Sequence, residues 1–117
     1  MSDSIAAFFD ELAQRGHDPR VRRGSGAVRF ESGKGASARA WHVELRKGDI
    51  TVSKKRGAVH CTLRADDETT AAILSGRLNP VTAVLRGAVE LEGDTRLLVL
   101  FRRLLPGPPP KRSRRKS

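Results

Sequence analysis

The side chains that could carry chemistry are few, and their spacing does not suit it. His60 and Cys61 are adjacent. Neighbours on a strand point to opposite faces, so this pair cannot share a metal ion. His17 and His42 have no partner at ligand spacing and read as surface imidazoles. Gly24-Ser25-Gly26 and Gly33-Lys34-Gly35 are fragments of phosphate-loop composition, but neither completes a P-loop or a dinucleotide fingerprint. Both read as turns. No Gly-x-Ser-x-Gly elbow occurs. Cys61 falls on the apolar face of its strand with no cation on that face, and a buried thiol is inert unless its pKa is lowered. The carboxylate run Asp66-Asp67-Glu68 sits where a helix begins, a place for capping and dipole compensation. Glu90 and Glu92 share the polar face of a strand. These residues predict a non-enzyme with no metal and no cofactor.

The elements that position these residues follow from periodicity. Ile5, Phe8, Phe9 and Leu12 repeat with helical spacing, with Ser4 or Asp3 able to cap the start and Gly16 the end. Four segments then alternate. Val28 and Phe30 oppose Arg29 and Glu31 within 26–31. Trp41, Val43 and Leu45 oppose His42, Glu44 and Arg46 within 39–46. Ile50 and Val52 alternate with Thr51 and Ser53 within 49–54. Val59, Cys61 and Leu63 oppose His60, Thr62 and Arg64 within 58–64. A period of two with one polar face predicts an antiparallel sheet covered on one side. Lys47-Gly48 and Arg56-Gly57 are the predicted turns, and 32–37 a looser connection.

The pattern then becomes helical. Asp66 or Asp67 caps a helix over about 68–75, with Ala71, Leu74 and Leu78 on one side and Ile73 apart. Asn79-Pro80 opens a second short helix, with proline at the first helical position, where its missing N–H is no loss. Gly87 ends it. A strand over 88–92 follows, and Gly93-Asp94 precedes a last helix. On that helix Leu97, Leu98, Leu100, Phe101, Leu104 and Leu105 form one broad face, opposite Arg96, Val99, Arg102 and Arg103. Such a face either packs in a core or walls a cavity.

One domain suits 117 residues. Residues 1–105 form the predicted domain and 106–117 a Pro-rich, basic tail. Four of the six prolines lie in 106–110, which ends the helix near Leu105. The formal net charge is +10, and half of that excess lies in the last seven residues, as Lys111, Arg112, Arg114, Arg115 and Lys116. The tail has three readings. It is a disordered, solubilising end, a contact for an anionic membrane or other anions, or a sequence-independent nucleic-acid contact. It has no aromatic residue for base stacking, and Arg96, Arg102 and Arg103 can extend its basic surface. No run of 18 apolar residues and no signal-peptide pattern occur, and the single cysteine fits a reducing compartment, so the predicted location is cytoplasmic.

The ordered set Thr62-Leu63-Arg64-Ala65-Asp66-Asp67, Leu74-Ser75-Gly76-Arg77-Leu78-Asn79-Pro80 and Leu85-Arg86-Gly87-Ala88-Val89-Glu90-Leu91-Glu92-Gly93-Asp94 resembles the sterol-carrier-protein type-two family of lipid-binding domains. Residues 100–108 are similar to its small bacterial, especially actinobacterial, members, and Trp41 to Gly48 fits more loosely. The resemblance covers roughly 8–110. It implies an α+β fold with an about five-stranded, mixed, mainly antiparallel sheet, helices on one face and an apolar tunnel for an acyl chain, a sterol or a similar lipid. It implies no catalytic residue and no cofactor. The eukaryotic members' terminal Ser-Lys-Leu is absent here, since the chain ends Arg115-Lys116-Ser117.

A lipid chain offers no directed hydrogen bonds, so such a site needs apolar area. Under the resemblance, the candidate lining is Trp41 and Val43 from the sheet, Ile73, Leu74 and Leu78 from the middle helix, Val81 and Leu85 from the next, and Leu97, Leu98, Phe101 and Leu105 from the last. In a chain this small many of these must also be core. Two alternatives stand beside the lipid carrier. One is an interaction or regulatory module whose core is filled by side chains. The other is weak nucleic-acid binding through the tail. Oligomeric state is left open.

Overall fold

The computed structural model describes residues 3–54 and 57–106. Helix α1, Ser4–Arg15, starts where the Asp3 carboxylate accepts the Ala6 N–H, and ends at Gly16 in the left-handed region. Strands β1 (Ser25–Ser32), β2 (Arg39–Arg46) and β3 (Asp49–Ser53) form an antiparallel meander. The chain crosses to β4 (Cys61–Ala65), which lies parallel to β1. Then come α2 (Asp67–Leu74), α3 (Pro80–Leu85), β5 (Glu90–Gly93) antiparallel to β4, and α4 (Thr95–Arg102). The sheet order is β3-β2-β1-β4-β5. This is the expected mixed, mainly antiparallel α+β architecture.

Register places the apolar residues on one face. Val28 pairs with Val43 and Cys61, Phe30 with Trp41 and Leu63, and Leu45 with Ile50. All of them are buried. The helices supply the other half of the core. Phe9 of α1 and Phe101 of α4 both pack on Phe30, each with ring centroids 5.8 Å away. The opposite face pairs its charges instead. Glu31 accepts from Arg29 and Arg64, and Arg64 also reaches Glu92. Arg29 holds the Glu31 carboxyl below its ordinary pKa, with Arg64 assisting.

Several boundaries differ from the sequence reading, each for a local reason. Strand β4 begins at Cys61 rather than 58, and Ala27 N–H is donated to the His60 ring Nδ1. Strand β5 begins at Glu90, because the N–H groups of Ala88 and Val89 both go to Ala83 O and keep those residues in the α3 exit turn. Helix α2 ends at Leu74, and the N–H groups of Arg77 and Leu78 turn back to Ala72 O. Leu78 therefore leaves the helical path, and Ile73, expected to lie apart, is buried. Helix α4 ends at Arg102. The next three N–H groups make three-residue-back bonds that carry Leu104 and Leu105 into the core.

His42 is not a surface imidazole. It is 9% exposed on the outer sheet face, where a Cβ on Gly57 would lie 3.7 Å from its ring, and its Nδ1 has no hydrogen-bond partner among the described residues. Gly24-Ser25-Gly26 is not a turn but the entry to β1. A Cβ at Gly24 or Gly26 would lie within 3 Å of the Leu100 or Leu97 side chain, so the glycines let α4 pack closely there. Gly35–Ser37 makes one turn of 3-10 helix in the connection to β2. The Lys47-Gly48 turn stands as expected, both residues having positive φ. Arg56 of the other predicted turn lies outside the described residues, as does all of the tail beyond Pro106.

Candidate functional site

A cleft of about 760 Å³ opens where three chain-distant segments meet. These are the 3-10 turn Pro19–Val21, the α2–α3 junction and the end of α4. Ile73, Leu78, Pro80, Val99 and Leu105 give it apolar walls. Arg20, Arg77, Arg102 and Arg103 line it as well, with Asn79, Gly76 and Pro106 completing it. A volume of this order lies in the range of roughly 300–1,000 Å³ usual for small-ligand sites.

Local hydrogen bonds fix each wall. Asn79 Oδ1 accepts the Val81 N–H at 2.8 Å, which caps α3 and sets Pro80 at its first position. Asp94 accepts the Arg96 N–H and binds the Arg96 guanidinium, which sets the start of α4. Asp18 anchors the 3-10 turn. Its carboxylate accepts from the Arg20 N–H, from the Arg20 guanidinium at 2.6 Å and from Arg15 at 3.1 Å. With a residue exposure of 5%, it is a buried charge held by two arginines. The Arg20 guanidinium, first of several causes, holds its carboxyl far below the usual carboxylate range. Arg103 in turn donates to Arg20 O, tying the end of α4 to this turn.

The structure divides the sequence candidates into groups. Ile73, Leu78 and Leu105 line the cleft. Leu97 lines a neighbouring cavity of about 360 Å³ on the other side of Val99 and Arg103. Trp41, Val43, Leu74, Leu98 and Phe101 are buried in the core and outside the cleft lining. Val81 is half-buried against that core, and Leu85 is 82% exposed at the end of α3. The tail cations Lys111, Arg112, Arg114, Arg115 and Lys116 lie outside the described residues. The sequence-predicted lining lacked Pro80, Val99, Arg20 and Arg77, while Arg102 and Arg103 were expected only as an extension of the tail's basic surface. The helical wheel had marked Val99, Arg102 and Arg103 as the side of α4 away from the core, and that side is a cleft wall. For Arg20 no sequence signal existed.

The cleft lining contains no Ser, Cys, His, Asp or Glu. It therefore offers neither a nucleophile nor a general base among the described residues. Cys61 is buried, and burial pushes its thiol pKa up, which suppresses the thiolate. What the arrangement offers is apolar area beneath a cationic mouth.

Comparison with known proteins bears on what such a cleft is for. Residues 8–106 match the model of the SCP-2 sterol transfer family. The chain is 29% identical over 70 residues to sterol carrier protein 2 of Gallus gallus, covering 58% of this chain and 13% of that protein. It is 34% identical over 53 residues to sterol carrier protein 2 of Arabidopsis thaliana, covering 44% of this chain and 43% of that one. The aligned part thus spans less than half the length of either relative. Among solved structures, the sterol carrier protein domain 2 of Helicoverpa armigera superposes with a TM-score of 0.69 at 19% identity, covering 86% of this chain and 84% of that one. At that identity the likeness is one of fold.

Proposed function

The chain belongs to the SCP-2 sterol transfer family, and from that premise we propose that it binds or transfers one hydrophobic lipid, held without chemical change in the cleft between the α2–α3 junction and the end of α4. The observation that carries this reading is the lining itself, five apolar side chains with no catalytic group among them. Each methylene removed from water there contributes about 0.8 kcal/mol. Ten of them contribute roughly 8 kcal/mol before entropic costs, so micromolar affinity is the natural upper scale.

The family resemblance implies an apolar tunnel between the sheet and the helices. In this chain Phe9, Phe30, Phe101 and Trp41 pack together in that space. The proposed ligand therefore lies beside the aromatic core rather than through it. The same packing favours a second reading, in which the filled core makes the domain a docking module. Intact mass decides between them. The protein is purified gently, weighed under native conditions and then denatured. The lipid reading expects an added mass that is released on denaturation, or uptake of added palmitate or cholesterol. A bare mass that neither lipid changes would overturn it in favour of the module.

A further inference from the structure

Three cavities meet at one residue. Arg103 lines the main cleft, the neighbouring cavity along α4, and a third of about 310 Å³ beside the 3-10 turn. Val99 lines the first two, Arg20 the first and third, and Arg23 the second and third. They form a single surface around the cleft mouth. Its cations are Arg20, Arg22, Arg23, Arg77, Arg96, Arg102 and Arg103. Arg20 and Arg96 are compensated by Asp18 and Asp94. Among the described residues, no ion pair joins Arg22, Arg23, Arg77, Arg102 or Arg103 to a carboxylate.

We propose that this arginine surface docks the protein on an anionic lipid bilayer, with the cleft mouth turned toward the lipid. Five uncompensated guanidiniums spread over three adjoining cavities reach beyond one small ligand and suit a surface of many phosphates. Arginine suits that role because its fork binds phosphate through two parallel hydrogen bonds. The outer face of the sheet is different, since there Arg29 and Arg64 are matched by Glu31 and Glu92.

Two observations favour a bilayer over nucleic acid. Val99, 48% exposed, sits between the two larger cavities and can enter the acyl boundary while the arginines around it stay among the headgroups. No Phe, Trp, Tyr or His lines any of the three cavities, so no aromatic side chain offers a base a stacking platform there. The chain also leaves the cleft at Pro106, five positions before the basic run Lys111–Lys116 begins.

Flotation of the full chain with vesicles tests this, using phosphatidylcholine alone and phosphatidylcholine with phosphatidylglycerol in equal parts. Binding is expected only to the anionic vesicles, weakening as salt rises. Arg22→Gln with Arg23→Gln should weaken it by about 30-fold, the effect of removing two surface contacts. Lys34→Gln with Arg46→Gln, the same loss of charge elsewhere, should change it by less than about three-fold. Circular dichroism verifies that both variants are folded. Three results would overturn the proposal. The control pair could weaken binding as much as the Arg22–Arg23 pair. Glutamine at all five tail cations could abolish binding while Arg22→Gln and Arg23→Gln leave it intact. Single-stranded RNA or duplex DNA could bind more tightly than the anionic vesicles at equal salt. Vesicle binding is read without any cargo, so it can fail while the lipid-cleft reading stands, and the reverse.

Discussion

The Trp41 indole lies flat on the Phe9 ring, with centroids 4.6 Å apart and planes 13° from parallel. The contact fastens α1 to the middle of β2. Lys54 and Arg39 approach the indole too, their charged groups 4.2 and 5.1 Å from its centre. Phe9→Ala removes the stack and the Phe9–Phe30 contact and leaves a cavity under the helix. A loss of about 3–5 kcal/mol is expected in urea unfolding, the usual cost of deleting a fully buried phenylalanine.

The same stacking decides what Trp41 can report. Its ring is 4% exposed and outside the cleft lining. Its emission should therefore stay constant when palmitate is added to the wild-type protein. A tryptophan at Val99, which lines the cleft and is half exposed, should shift its emission under the same titration. A palmitate response from Trp41 alone would place the ligand in the core instead.

Leu78 and Leu98 are both leucines of the sequence-predicted lining, and the structure separates them. Leu78 is half-buried and walls the cleft, whereas Leu98 is 5% exposed within the core. Leu78→Trp should fill the cleft, weaken palmitate uptake by at least about ten-fold and leave stability within about 0.5 kcal/mol. Leu98→Trp should destabilise by about 1–3 kcal/mol through overpacking. Native mass spectrometry and thermal unfolding of the two variants give the comparison.

Asp18 should make the stability of the fold acid-sensitive. Arg20 and Arg15 depress its carboxyl pKa in the folded state. A group depressed on folding stabilises fully above its unfolded pKa, near about 3.9 for aspartate. That stabilisation is lost as pH falls from there toward the folded value. Asp18→Asn retains a side-chain oxygen for the Arg20 N–H but loses the charge. It should cost about 1–2 kcal/mol near neutrality, and the difference from wild type should shrink as pH falls below about 4. Denaturation at a series of pH values measures both. A difference independent of pH would mean that the charge is not the source.

These particulars show what the amino-acid order could and could not convey. The strands β1 to β3 were legible because Val28–Phe30, Trp41–Leu45 and Ile50–Val52 alternate with polar residues, a pattern that register alone turns into a covered face. The caps Asp66, Asn79 and Asp94 were legible because capping is a contact over two or three residues. The cleft was not, because its walls come from residues 20, 73–80 and 99–106, and no local period links them. Leu85 shows the converse. It belongs to an apolar stretch, but α3 ends there and leaves it in solvent. His42 was misplaced because its cover comes from the chain after β3, not from its own strand.

Gly93 offers the sharpest test of the sheet's far edge. It pairs with Cys61 at the end of β5, with φ at +102°. A Cβ there would lie 2.2 Å from the His60 carbonyl oxygen, which is backbone and itself accepts the Asp94 N–H. Alanine must then both strain φ and push β4 away from the start of α4. Gly35 separates these effects, since its φ is +56° but nothing lies within 4 Å of a Cβ built on it. Gly35→Ala should cost about 1 kcal/mol, the conformational part alone. Gly93→Ala should cost about 3 kcal/mol or more, because the clash adds to the strain. Equal costs in urea unfolding would mean that β4 yields freely, and that the parallel β1–β4 pairing does not hold the start of α4 in place.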